Sequence, residues 1–107
     1  MNLLEAIKSA AMDMMEDPDF KPGADALWDL REAQIKNFSA EDLRSLVFFI
    51  AEHQAKRGAG YKVAIVAERD LLFGGARMFE AFADSLPFSC RVFRNVEDAE
   101  QWICIKP

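Results

Sequence analysis

The chain is poor in the residues that build metal and redox sites. It has two cysteines, Cys90 and Cys104, and one histidine, His53. The cysteines are too few and too far apart for a CxxC redox pair or a zinc motif. One histidine and no Gly-x-Ser-x-Gly elbow leave nothing from which to assemble a nucleophilic triad. The acidic neighbours Asp17 and Asp19 fall in a turn, and Glu41 with Asp42 in a first helical turn, so local structure accounts for both. No catalytic residue, metal or cofactor is expected. Clustered basic residues are also lacking. The 13 Lys and Arg are scattered against 18 Asp and Glu, for a net charge of −5, and Lys56-Arg57 is the only adjacent basic pair. Nucleic-acid binding needs a concentrated basic face, so that class is set aside. No apolar run approaches the ~20 residues of a membrane span, and no secretory peptide opens the chain. The expectation is a cytoplasmic protein with two reduced, buried thiols. The Asn37-Phe38-Ser39 sequon then carries no meaning.

What is present is a core. Of the 107 residues 51% are hydrophobic, including nine Phe and two Trp. That suffices for one domain spanning 1–107 without disulfides or metal. Residues 2–16 place Leu3, Leu4, Ile7, Ala10, Ala11, Met14 and Met15 on one helical stripe. Asp17-Pro18 ends it, because the residue before proline avoids the helical region. Pro22-Gly23 turns the chain into a strand at Ala26–Leu30. Ser39-Ala40-Glu41-Asp42 has the form of a capping box and starts a helix running to about His53. Leu43, Leu46, Val47 and Ile50 form its inner face. Ala55–Gly60 reads as a basic loop. Val63–Ala67 is a continuous apolar run, as in a strand covered on both faces. Asp70 is the expected cap of the next helix, lined by Leu72, Ala76, Phe79 and Phe82 or Ala83. A strand at Ser89–Phe93 follows. Asn95 then caps a last helix with Val96, Ala99, Trp102 and Ile103 inward.

The order α-β-α-β-α-β-α predicts an α/β fold: a small, mostly parallel sheet of three or four strands with four helices and right-handed crossovers. Three strands leave two open edges. A strand ahead of residue 1, or one from a second subunit, is expected to complete the sheet.

Some residues point toward function. Asp29 and Arg31 stand at a strand's carboxyl end, where open α/β sheets bind ligands. Gly74-Gly75 near a helix start can either receive an anion or let the helix lie close on the sheet. Arg77, one turn on, would complete an anion site; the plainer roles for it are an ordinary surface position or an ion pair with Asp29. Phe48 and Phe49 widen the apolar face of their helix beyond one stripe, which marks a candidate subunit or partner interface. Ser39 is explained by capping, and it is also a weak phosphorylation candidate because a phosphate there would meet a helix N-terminus.

Four segments, in order, carry a family likeness. They are Asp17-Pro18-Asp19-Phe20 with Pro22-Gly23 and Leu27-Trp28-Asp29-Leu30-Arg31; Ser39-Ala40-Glu41-Asp42-Leu43; Val63–Ala67 with Phe73-Gly74-Gly75-Ala76-Arg77-Met78-Phe79-Glu80; and Val92-Phe93-Arg94-Asn95 with Ala99 and Trp102. Together they resemble the SpoIIAA-like family of small bacterial domains, related to STAS and CRAL-TRIO proteins. The resemblance implies a SpoIIAA-like (STAS-like) layered fold and a non-enzymatic binding or regulatory module that acts by protein–protein contact as a homodimer. The related CRAL-TRIO proteins imply an alternative, a carrier of a small apolar or lipid-like ligand, with the Met-rich first helix and the phenylalanines lining the pocket. A third reading is an enzyme using Asp29 and Arg77. The chain departs from the family in two places. It lacks the leading strands, and Asn37-Phe38-Ser39-Ala40 replaces the Asp-Ser-Ser-Gly-like segment that STAS anti-sigma factor antagonists carry.

Overall fold

The computed structural model describes residues 3–33 and 39–105. Asn37 and Phe38, of the sequon and the family segment, lie outside the described residues, as does residue 2 of the first expected helix. The elements run α1 (Leu3–Glu16), β1 (Ala26–Asp29), α2 (Ala40–Glu52), α3 (Gln54–Arg57), β2 (Lys62–Val66), α4 (Asp70–Phe82), a 3-10 turn (Ala83–Ser85), β3 (Ser89–Phe93) and α5 (Val96–Cys104). The strands form one sheet in the order β1-β2-β3, parallel throughout, with Trp28 opposite Ile65 and Ile65 opposite Val92. Among the described residues there are three strands and five α-helices, one more helix than the sequence suggested.

The extra helix replaces part of the expected loop at Ala55–Gly60. One turn, α3, forms because the Arg57 N–H still reaches the His53 carbonyl and the Gly58 N–H reaches that of Gln54. The Gln54 side-chain amide donates to the Gly58 carbonyl as well. Gly58, at φ +90°, then stops the helix, a conformation that side chains with a Cβ rarely adopt. The capping box is present at Ser39: its hydroxyl accepts from the Asp42 N–H, and the Asp42 carboxylate accepts from the Ser39 N–H. Asn95 likewise caps α5. Asp70 does not cap α4. Arg69 occupies the cap position without a side-chain bond, and Asp70 is the first helical residue. Its carboxylate is drawn instead to Arg94, at 2.7 Å.

Strand alternation sorts the core into two layers. Val63 and Ile65 face Leu43, Leu46, Ala76 and Phe79, beneath α1, α2 and α4. Ala64 and Val66 face Ala99, with Leu27, Phe93 and Trp102 around them, under α5 alone. β2 is thus covered on both sides, as its unbroken apolar run requires. Lys62 ties this second layer together, its ammonium donating to the carbonyls of Trp102 and Ile105 at the end of α5, where a cation complements the helix terminus. The thiols divide. Cys90 is half-buried and Cys104 is exposed, so the expectation of two buried thiols fails for Cys104. Burial, with Glu80 nearby, pushes the Cys90 thiol up to about 12, which keeps it protonated.

Candidate functional site

A cavity of about 800 Å³ lies between α1 and β1. Its α1 wall takes most of the apolar stripe seen in the sequence, Leu3, Ile7, Ala10, Ala11, Met14 and Met15, together with Ala6. The alanines are short, so the helix stands over β1 without filling the space beneath it. Only Met15 of α1 is buried. Phe49 and Ile50 of α2 and Trp28 and Leu30 of the β1 region complete the apolar lining.

At the amino end of β1 the cavity meets the cation of Arg57. Arg57 is 7% exposed, and its two terminal nitrogens have no hydrogen-bond partner among the described residues. Two glycines bring it there. The Gly23 N–H donates to the Arg57 carbonyl at 2.8 Å. Gly58 packs so tightly on the same turn that a Cβ would sit 2.5 Å from the Gly23 nitrogen. The guanidinium lies 3.6 Å from the Tyr61 ring centroid and 5.8 Å from that of Phe20. Tyr61 in turn stacks on Phe88, with centroids 4.8 Å apart. Burial pushes the guanidinium below its ordinary value, while Tyr61 and the Asp25 carboxylate pull it back. It stays cationic at any physiological pH. The Asp25 carboxylate itself accepts from the Lys62 N–H at 2.7 Å.

The carboxyl end of β1 differs. The Asp29 carboxylate accepts from Arg31 Nε at 2.8 Å and Nη2 at 2.7 Å, and from the Arg31 N–H. These bonds hold its carboxyl below the usual aspartate range and raise the Arg31 guanidinium in return. Glu32 and Glu68 line a shallow polar depression beside the pair.

The expected rim of Asp29, Arg31, Gly74, Gly75 and Arg77 therefore falls into two places. Asp29 and Arg31 are bonded to each other. Arg77 is the eighth residue of α4, about 10 Å along the helix from its start, and its cation lies 3.9 Å from Glu80 rather than on Asp29. Glu80 also accepts the edge N–H of Val92 in β3. Gly74 is the fifth residue of α4, so helix geometry already uses its N–H. A Cβ at Gly74 would meet nothing within 4 Å, so close packing does not explain this glycine. Gly75 is half-buried in the same turn.

Phe48 and Phe49 also separate. Phe48 is 70% exposed. Phe49 turns toward the cavity, its ring 4.3 Å from that of His53 and 5.7 Å from the Lys8 ammonium. His53 is engaged locally, its Nδ1 lying 2.8 Å from the Phe49 carbonyl. Among the described residues no helix is long and apolar enough to cross a membrane, and no three His, Cys, Asp or Glu side chains group as a metal site.

Sequence reasoning missed Arg57. Its place in a basic Gly-containing stretch suggested only a loop. The available signal was an arginine directly before Gly58-Ala59-Gly60 and four residues from Tyr61, a spacing that stacks a cation on an aromatic once the segment turns. No family model, no curated protein and no solved structure matches the chain.

Proposed function

We propose that this chain is a non-enzymatic binding module, of the SpoIIAA-like kind its motifs resemble, that carries a small apolar molecule between α1 and β1. The 800 Å³ cavity supports this reading. Ligand sites commonly occupy about 300–1,000 Å³ and are mostly apolar with few polar groups. The apolar lining of this half-open cavity faces water, and an apolar occupant removes that surface from it. Met14 and Met15 lend the lining an adaptable surface. The separation of Asp29 from Arg77 counts against an enzyme built on that pair.

Native mass spectrometry of freshly purified protein tests the reading. The expected result is an adduct of a few hundred daltons that organic extraction removes, with a fall in melting temperature after extraction. A bare mass, together with no thermal shift on adding medium-chain apolar compounds, overturns it.

A second reading, contact with a second copy of the chain, draws on exposed apolar side chains. Phe48 of α2 and Leu71 and Met78 of α4 are 70%, 73% and 46% exposed. Light scattering on the full chain is expected to give twice the chain mass, and Phe48→Lys to give a monomer. A wild-type monomer at high concentration ends this reading.

A further inference from the structure

We propose that Arg57 is a carboxylate anchor, so that the molecule held in the α1–β1 cavity is an elongated apolar acid of the fatty-acid type. The inference rests on the carrier reading and specifies its ligand.

Three observations carry it. First, Arg57 is more than nine-tenths buried and lines the cavity, and neither terminal nitrogen has a hydrogen-bond partner among the described residues. A buried cation without a hydrogen-bonded partner is costly, and a counter-ion that arrives with the ligand relieves that cost. Second, the Tyr61 ring at 3.6 Å and the Phe20 ring at 5.8 Å lie over the guanidinium. The aromatic contacts use no N–H donor, so both terminal nitrogens keep their donors unused, though they are covered by neighbouring side chains that must give way for a ligand to reach them. Those donors form a fork that matches the two oxygens of a carboxylate. Third, the two carboxylates that line the cavity among the described residues already have hydrogen-bond donors. Asp29 is held by Arg31, and Asp25 accepts the Lys62 N–H.

The same charges choose between anions. Asp25 acts on Arg57 from within the site. Either anion would meet one cation and that carboxylate, so the second charge of a dianionic phosphate adds repulsion that a monocarboxylate does not bring. The apolar wall extends from Tyr61 and Phe88 along β1 to Leu30 and Ala33. Four strand residues span about 13 Å, which is the length of a chain of about ten carbons. Head at Arg57 and tail under Ala6 and Ala10 is therefore the expected pose.

The test compares two probes that share a tail. The extracted full-length protein is titrated with dodecanoate and with dodecanol by calorimetry, well below their aggregation limits. Dodecanoate is expected to bind at least tenfold more tightly. Arg57→Met is expected to erase that preference while dodecanol affinity changes less than about twofold, and Arg57→Lys to restore part of it, since lysine keeps the charge but not the fork. Equal affinity of wild type for the two probes overturns the anchor and leaves the carrier reading standing. A preference that survives in Arg57→Met also overturns it. Binding of neither probe removes the carrier reading and the anchor with it. The wild-type comparison needs no variant to fold.

Discussion

α1 and α4 are of nearly equal length, 14 and 13 residues, both amphipathic, and on the same face of the sheet. They nonetheless do different work. α4 presses Leu72, Ala76 and Phe79 into the core, and the Phe79 ring meets Trp28 at 5.7 Å. α1 fully buries only Met15; Leu4 and Ile7 pack partly against the core, while Leu3, Met14 and three alanines line a cavity. The difference lies in side-chain volume. A stripe needs apolar residues at helical spacing to dock, but it needs large ones to fill the space it docks against. A helix that is apolar and small-sided roofs a cavity; one that is apolar and large-sided closes a core.

Truncation sharpens that contrast most. Phe79→Ala is expected to cost about 3–5 kcal/mol, the range for deleting a buried aromatic. Met14→Ala on α1 removes a half-buried side chain beside open space and is expected to cost less than about 1 kcal/mol. Urea denaturation of the two variants measures both. Equal losses would mean that α1 is packed as tightly as α4, and the cavity would have to be abandoned.

Two glycines extend the contrast. Gly58 holds φ +90°, and a Cβ there would come within 2.9 Å of the Pro22 carbonyl carbon. Gly58→Ala is expected to destabilise by about 1–3 kcal/mol, and to loosen the turn that carries Arg57. Gly74 in α4 has open space where its Cβ would lie. Gly74→Ala is expected to stabilise by about 0.5–1 kcal/mol, the helix-interior difference between the two residues. Thermal melts of both variants suffice. A destabilising Gly74→Ala would show that α4 tolerates no added volume on its outer side.

Much of the fold was legible because it rests on local signals. The apolar run at Val63–Ala67, the capping box at Ser39 and the Asn95 cap each act within a few residues, and each is found within a residue or so of its expected place. The site was less legible because it depends on what lies across space. Periodicity put Leu3, Ile7 and Met14 on one face but is silent on whether that face is filled. The rule favouring strand carboxyl ends pointed to Asp29 and Arg31, which satisfy each other. Arg57 sits at the opposite end, and its burial comes from the meeting of the Pro22-Gly23 turn with Gly58, residues far apart in sequence. The same long-range dependence misplaced Asp70, whose carboxylate was claimed by Arg94 from another element rather than by its own helix end.

The smallest expected effect separates the two ends of β1. Asp29 and Arg31 are each about two-fifths exposed, so water and salt screen their attraction. Because bonding to Arg31 lowers the Asp29 value in the folded state, the folded chain releases that proton more readily than the unfolded chain. The resulting stabilisation is fully present above the ordinary aspartate value of about 3.9 and disappears as pH falls through the lower folded value. Asp29→Asn is therefore expected to be slightly less stable than wild type at pH 6, a gap near the precision of a denaturation curve, and to converge on it as pH falls. A gap that persists unchanged at pH 2 would assign Asp29 a packing role rather than a charge role. At the other end Arg57 keeps its charge throughout that range, so the guanidinium itself supplies no pH dependence there, and the one acidic side chain that acts on it is Asp25.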